Sequence, residues 1–197
     1  DLQADAHSTH AAQAFADRHG LPCVGVQHHH AHIAATCAEH GHRGPVLGLA
    51  LDGHGVGEDG GAWGGELLLV DGARMRRVGH LRPLLLPGSD RAAREPWRIG
   101  AGALHFLERS ADIAARWGTL AGASGVAQLL QRGVHCPPST SAGRWFDAAA
   151  ALLGLCTHMD FEAQAAMLLE QAAQAHIARH GWPAPLAHGW RIQTAAD

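Results

Sequence analysis

Apolar positions change their spacing several times along the chain, and each change marks an element. Residues 5–18 (DAHSTHAAQAFADR) read as a short helix, and residues 21–27 (LPCVGVQ) as a buried strand that starts at Pro22. From His28 to His40, Ile33, Ala34 and Cys37 recur at helical spacing, and Gly41 and Gly44 end the run. Residues 45–52 (PVLGLALD) predict a buried strand, and the Gly-rich residues 53–64 a turn or loop. Residues 65–70 predict a second strand, Asp71-Gly72 a hairpin turn, and residues 75–81 a third strand. That order is a three-stranded meander. A long Pro-punctuated connection over 83–98 follows, then helices over 99–117, 123–132, 143–154 and 160–179. Ser124, Ser141 and Asp160 are the expected caps. Strands followed by helices fit an α/β or α+β layer architecture.

Composition narrows the chemistry. The 197 residues suffice for one domain or two small ones, and 47% hydrophobic content can fill a core. A formal net charge of −3 carries no sign of a nucleic-acid partner. The chain has no Lys and no Tyr, which excludes a P-loop lysine and a Schiff-base lysine. Cys23, Cys37, Cys136 and Cys156 form no CxxC pair, so a thiolate zinc finger or redox motif is not indicated. There is no signal-peptide pattern and no apolar run of spanning length. No membrane partner is therefore expected, and the cytoplasm is the expected compartment.

Seventeen His residues are the compositional anomaly, and a cluster of them between positions 28 and 42 makes those the candidates for function. His28 and His32 stand four apart on the predicted helix and share one face, so both can reach one ion. Asp52, at the end of an apolar strand, is the best third ligand; His54 and Asp59 are weaker ones. Imidazole suits zinc and iron alike. The same spacing also arises on an ordinary His-rich surface. His29 and His30 are expected to face elsewhere, with one of them toward substrate, and His40 and His42 toward solvent.

The stretch from Asp52 to Gly61 carries Gly53, Gly55 and Gly57, whose backbone freedom suits N–H groups converging on phosphate. It equally suits a plain hairpin loop. It lacks GxxxxGK[ST], and it precedes a strand rather than a helix, so it is neither a P-loop nor a dinucleotide fingerprint.

Five segments together resemble one family: VQHHHAHIAA (26–35), LALDGHGVGEDGGAWGGELLL (49–69), HLRPLLLPGSDRAAREPWR (80–98), SAGRWFDAAAALLG (141–154) and FEAQAAMLLE (161–170). They occur in the order found in HypF, the carbamoyltransferase family of nickel–iron hydrogenase maturation. The resemblance implies part of a Kae1-like domain of the actin/sugar-kinase/Hsp70 superfamily. Residues 1–44 would end its first subdomain, with the HxxxH motif, and residues 45–197 would form an incomplete second subdomain. It implies that carbamoyl-adenylate, made elsewhere from carbamoyl phosphate and ATP, gives its carbamoyl group to the C-terminal cysteine of the partner HypE. The ensuing chemistry supplies cyanide ligands to the hydrogenase iron.

The resemblance also assigns residues. His28, His32 and Asp52 would hold a divalent metal (zinc or iron, with magnesium a third option) that contacts nucleotide phosphates. Gly53, Gly55, Gly57, Gly143, Arg144, Asp147 and Glu162 would line the nucleotide and substrate cleft, with Gln164 a lesser candidate. For Asp147, ribose binding stands beside a helix-capping charge. Arg94, Glu95 and Arg98 are expected to form an ion-pair corner in the long connection. The acceptor thiol belongs to the partner, so no residue of this chain is expected to act as the nucleophile.

The pattern departs from the family in Phe161-Glu162-Ala163-Gln164, where YEGQ is usual, and in lacking the late Gly-Gly-Val-Phe-Gln-Asn type motif. The fragment is accordingly expected to be inactive alone. One alternative is a tRNA threonylcarbamoyl-adenosine transferase-like domain, which carries a Ser-Gly-Gly-type loop where this chain has LDGHGVGEDGG. Another is a non-catalytic metal-binding module.

Overall fold

A computed structural model describes residues 6–187 and 189. Helix α1 (Ala6–His19) and helix α2 (His28–Glu39) precede the meander of β1 (Val46–Val56), β2 (Ala62–Asp71) and β3 (Arg74–His80). Short strands β4 (Leu84–Leu85) and β5 (Pro138–Ser139) bracket helices α3 (Pro96–Phe106), α4 (Ala111–Trp117) and α5 (Ala123–Arg132). Helices α6 (Ala142–Leu152) and α7 (Gln164–His180) follow. The five strands make one mixed sheet in the order β1-β2-β5-β4, with β3 also on β2. The second edge of β2 is thus divided: β3 takes residues 66–71 and β5 pairs parallel at Ala62. The α/β expectation and the meander are both present.

Helix α2 lies on one face of the meander. Ile33 packs with Ala50, Trp63, Leu68 and Val70, and Cys37, Val46 and Met75 close the margin. Burying a residue such as Ile33 contributes about 1.5–3 kcal/mol. The alternate residues of β1, Leu47, Leu49 and Leu51, point to the opposite face and stay exposed. Strand β1 is therefore half-buried rather than buried throughout, and it forms the outer edge of the sheet. The helical part has its own core, in which Trp97, Leu104, Ile113, Trp117, Val126 and Leu130 meet around α3.

Several expectations are corrected. Residues 21–27 form no strand; Leu21, Val24 and Val26 are exposed and the segment enters α2 as an extended lead. The Gly-rich stretch is mostly strand: β1 runs on to Val56, and β2 begins at Ala62. The predicted helix over 99–117 is two, because Glu108 adopts a left-handed φ of 59° between α3 and α4. Ser141 caps α6 by accepting from the Arg144 N–H, but Ser124 lies inside α5, and Ala163, not Asp160, stands at the N-cap of α7. The ion-pair corner centres on Glu95, which pairs with Arg91 and Arg98 and accepts from the Trp97 indole, while Arg94 is elsewhere. Burial pushes the Glu95 carboxyl up, yet hydrogen bonds from Arg98 and Arg91 hold it below its ordinary value.

Among the described residues, no helix is long and apolar enough to cross a membrane.

Candidate metal and nucleotide site

The site is built on a bulge. Leu51 pairs with Gly65, and the ladder resumes with Gly55 opposite Trp63. Asp52, Gly53 and His54 therefore stand opposite Gly64 alone. Extra residues bend a strand and turn its side chains off the pleat, which is why bulges gather beside active sites. Gly64 makes room for this: its φ is 151°, and a Cβ there would lie 2.6 Å from the Asp52 carbonyl oxygen. The bulge delivers Asp52 to one side and Gly53 to the other.

On the first side is the histidine cluster. Gln27 caps α2, its side-chain oxygen accepting from the His30 N–H at 2.9 Å, and so fixes where the first turn points. His28 Nε2 lies 2.8 Å from Asp52 Oδ2 and 3.1 Å from His32 Nε2; His32 Nε2 lies 3.6 Å from the same carboxylate oxygen. A tetrahedral ion with bonds of about 2.0–2.1 Å spaces its ligand atoms by about 3.3 Å, so these three atoms are close to a ligand set. Two imidazole nitrogens at that range can share one proton between them, and the carboxylate adds negative charge. A divalent cation suits such a donor set.

His29 is a second candidate for the third position. Its ligand atom, with those of His28 and Asp52, falls within a 4.8 Å triad. His29 is fully buried, its ring 6.0 Å from that of Trp63, over which Arg77 stacks at 4.0 Å. Burial first, and His28 next, hold the His29 imidazole below its ordinary pKa. His30 turns away, its ring nitrogen 2.9 Å from the Gly72 carbonyl at the hairpin. His40 and His42 are exposed. Burial pushes the Asp52 carboxyl up, but hydrogen bonds from His28 and from the Gly53 and His54 N–H groups hold it below its ordinary value.

On the other side is a cavity of about 470 Å³, within the range that takes a small organic ligand. Gly53, His54, Arg94, Arg144, Phe161 and Glu162 are among its walls. Gly143 brings the start of α6 against the bulge, where a Cβ would lie 2.8 Å from Gly53 Cα. Ser141 Oγ sits 2.8 Å from both the Asp52 and the Gly53 carbonyl oxygens, tying the bulge to the same helix start. Gly53, Arg144 and Glu162 therefore face one space.

The remaining sequence candidates lie apart from it. Gly55 packs against the His28 and His29 rings, where a Cβ would come within 2.7 and 2.5 Å; Gly57 packs against the Trp63 indole. Asp59 ties down the hairpin through the Trp63 indole and the Gly61 N–H. Gln164 accepts from the Asp160 N–H and closes a turn. Asp147 is buried and is not among the cavity walls. Burial pushes its carboxyl up to about 6, against the opposing pull of Arg144, whose Nη1 is 3.1 Å away but poorly aligned for a hydrogen bond.

Sequence reasoning passed over Glu66. It is wholly buried, accepts from the Gly64 and Gly65 N–H groups and from Thr140, and pairs with Arg77 at 2.7 Å. A glutamate inside the apolar run of β2 was the available signal, since a charge there needs partners.

Comparison with known proteins identifies the lineage. The family model for the carbamoyltransferase Kae1-like domain, second subdomain, matches residues 48–196, and the HypF Kae1-like domain model matches residues 1–39. The chain belongs to the HypF carbamoyltransferase family. Carbamoyltransferase HypF2 of Cupriavidus necator is 57% identical over 88% of this chain and 22% of its own length. Carbamoyltransferase HypF of Rhizobium leguminosarum bv. viciae is 45% identical over 98% of this chain and 24% of its own. A crystal structure of full-length HypF in a phosphate- and nucleotide-bound form matches with a TM-score of 0.74 and 36% identity, over 83% of this chain and 21% of that one. HypF of T. kodakarensis matches with a TM-score of 0.76 and 32% identity, over 84% and 23%. The chain thus spans roughly a quarter or less of the length of these relatives, and it shares their Kae1-like fold.

Proposed function

We propose that this chain carries the metal-binding and part of the nucleotide-binding surface of a carbamoyl-transfer site. One observation carries the reading: the β1 bulge gives Asp52 to the histidine cluster and the next residue, Gly53, to the cavity wall. An ion held by His28, His32 and Asp52 would thus stand beside a nucleotide in the cavity. Bound there, a divalent ion would supply positive charge to phosphate oxygens. Arg94 and Arg144 line the cavity and give further cationic groups for an adenylate phosphate.

The reaction assigned to the site transfers carbamoyl from carbamoyl-adenylate to the C-terminal cysteine of HypE. The thiolate sulfur bonds to the carbamoyl carbon, the bond from that carbon to the phosphate oxygen breaks, and AMP leaves with the electron pair. ATP and carbamoyl phosphate are the remote precursors of the donor. The names of the relatives as carbamoyltransferases, and the nucleotide and phosphate of one solved relative, support this assignment. This chain's part is to place the donor: Gly53 and the start of α6 shape the wall, and Ser141 holds the bulge in position.

Metal content by plasma mass spectrometry on the tag-free chain tests the reading. About one equivalent is expected, lost in His28→Ala and His32→Ala and kept in His42→Ala. An equivalent retained by both of the first two variants would overturn the assignment. Shallow, additive losses across all three variants would favour a storage surface instead.

A further inference from the structure

We propose that His29 is a positioning residue for Asp52 and not a metal ligand: its Nε2–H is held in readiness for the carboxylate. The inference rests on the metal reading above and extends it to a residue that this reading leaves unused.

The tautomer follows from Gln27. The side-chain oxygen of Gln27 accepts from the His30 N–H at 2.9 Å, and its amide nitrogen lies 3.2 Å from the Val56 carbonyl. Those two contacts fix which end of the amide is oxygen and which is nitrogen. The same nitrogen lies 3.1 Å from His29 Nδ1. An amide N–H₂ can only donate, so Nδ1 accepts, and a neutral imidazole then carries its proton on Nε2.

That Nε2–H is buried and has no hydrogen-bond partner, and Asp52 Oδ2 is 4.0 Å away. A buried donor without an acceptor is unfavourable, and the nearby carboxylate is already engaged by His28 at 2.8 Å. Metal ligation requires His28 Nε2 to give up its proton, which ends that hydrogen bond. Asp52 then needs a donor for the lone pairs it does not give to the ion, and ligating carboxylates are generally held this way. His29 is in place to take over. For His29 to ligate instead, its proton would have to move to Nδ1 and face the Gln27 amide donor. Turning that amide would break both the α2 cap and the contact to Val56.

Long-range ¹H–¹⁵N spectra of the histidine-labelled chain, with His29 assigned by its loss in His29→Gln, read the tautomer directly. His29 is expected to be protonated on Nε2 both without metal and with zinc, and its Nε2–H resonance should move downfield when zinc binds. Protonation on Nδ1 in either state would overturn the proposal. His29→Gln, which keeps an N–H near the Nε2 position, should hold zinc within about threefold of wild type, while His29→Leu should lose about 10- to 100-fold. A loss in His29→Gln as large as in His32→Ala would make His29 a ligand. Melting curves of each variant separate these losses from unfolding.

A zinc-independent arm keeps the two readings apart. If zinc does not bind the wild type, the metal reading fails. In the metal-free His28→Ala variant, Asp52 has lost its His28 donor, so the His29 Nε2–H should move downfield as it takes over. An unmoved resonance there would overturn the His29 inference on its own.

Discussion

Asp52 and Glu66 lie on adjacent strands of one hairpin, and both are carboxylates held below their ordinary pKa, yet they do different work. Glu66 is wholly buried, and its oxygens are filled by two backbone N–H groups, Thr140 and Arg77. Nothing is left to receive a ligand. The side chain of Asp52 is 28% exposed, and besides the Gly53 and His54 N–H groups it faces imidazole nitrogens that can exchange a proton for a cation. The contrast separates a pin from a site: saturation by fixed donors marks the first, and convergence of exchangeable ones marks the second. Glu66 also serves Asp52 at a distance, because it fixes Gly64, the residue across from the bulge.

The largest expected effect tests the pin. Glu66→Ala leaves Arg77 without its buried partner and should lower unfolding free energy by about 3–5 kcal/mol in urea titrations. A loss under about 1 kcal/mol would erase the distinction from Asp52.

Asp147 sharpens the comparison as a carboxylate that is buried without good donors. Its folded pKa of about 6 is raised, so the native chain binds a proton more tightly than the unfolded one. Stability should therefore fall as pH rises from about 4 to above 6, by about 1–3 kcal/mol. Asp147→Asn should remove that slope in melts followed from pH 4 to 8, and a slope unchanged in the variant would refute the assignment.

Ser141→Ala removes both the α6 cap and the ties to the bulge carbonyls, at an expected cost of about 1 kcal/mol. The smallest expected effect on stability is at Asp52, which the proposed reading makes a metal ligand. Asp52→Asn should shift the metal-free chain by less than about 1 kcal/mol. The loss should be smaller still at low pH, because a depressed carboxyl pKa contributes stability above the ordinary aspartate range and loses it as pH falls. In zinc titrations the same variant should lose the stabilisation that wild type gains.

What the sequence made legible had a strong local signature. The helix at His28 followed from its apolar spacing, the meander from two strand runs around Asp71-Gly72, and the meeting of His28, His32 and Asp52 from an i, i+4 pair and a strand end. The errors arose where local pattern and tertiary setting part. Residues 21–27 have strand composition, but no neighbouring strand pairs with them. Gly-rich composition hid the second half of β1, because glycine argues against a strand while close approach of the His28 and His29 rings demands it at Gly55. The roles of His29 and Glu66 depend on partners 27 to 74 positions away along the chain, such as Val56, reached through Gln27, and Thr140, and no spacing rule reaches that far.

Strand β1 has one further consequence. It ends the sheet, and Leu47, Leu49 and Leu51 stand exposed on one of its faces. Long apolar edges of this kind recruit other strands. Concentrated solutions of the 197-residue polypeptide should therefore self-associate, and a lysine in place of Leu49 should delay the onset of turbidity without disturbing the opposite face, where the histidines sit.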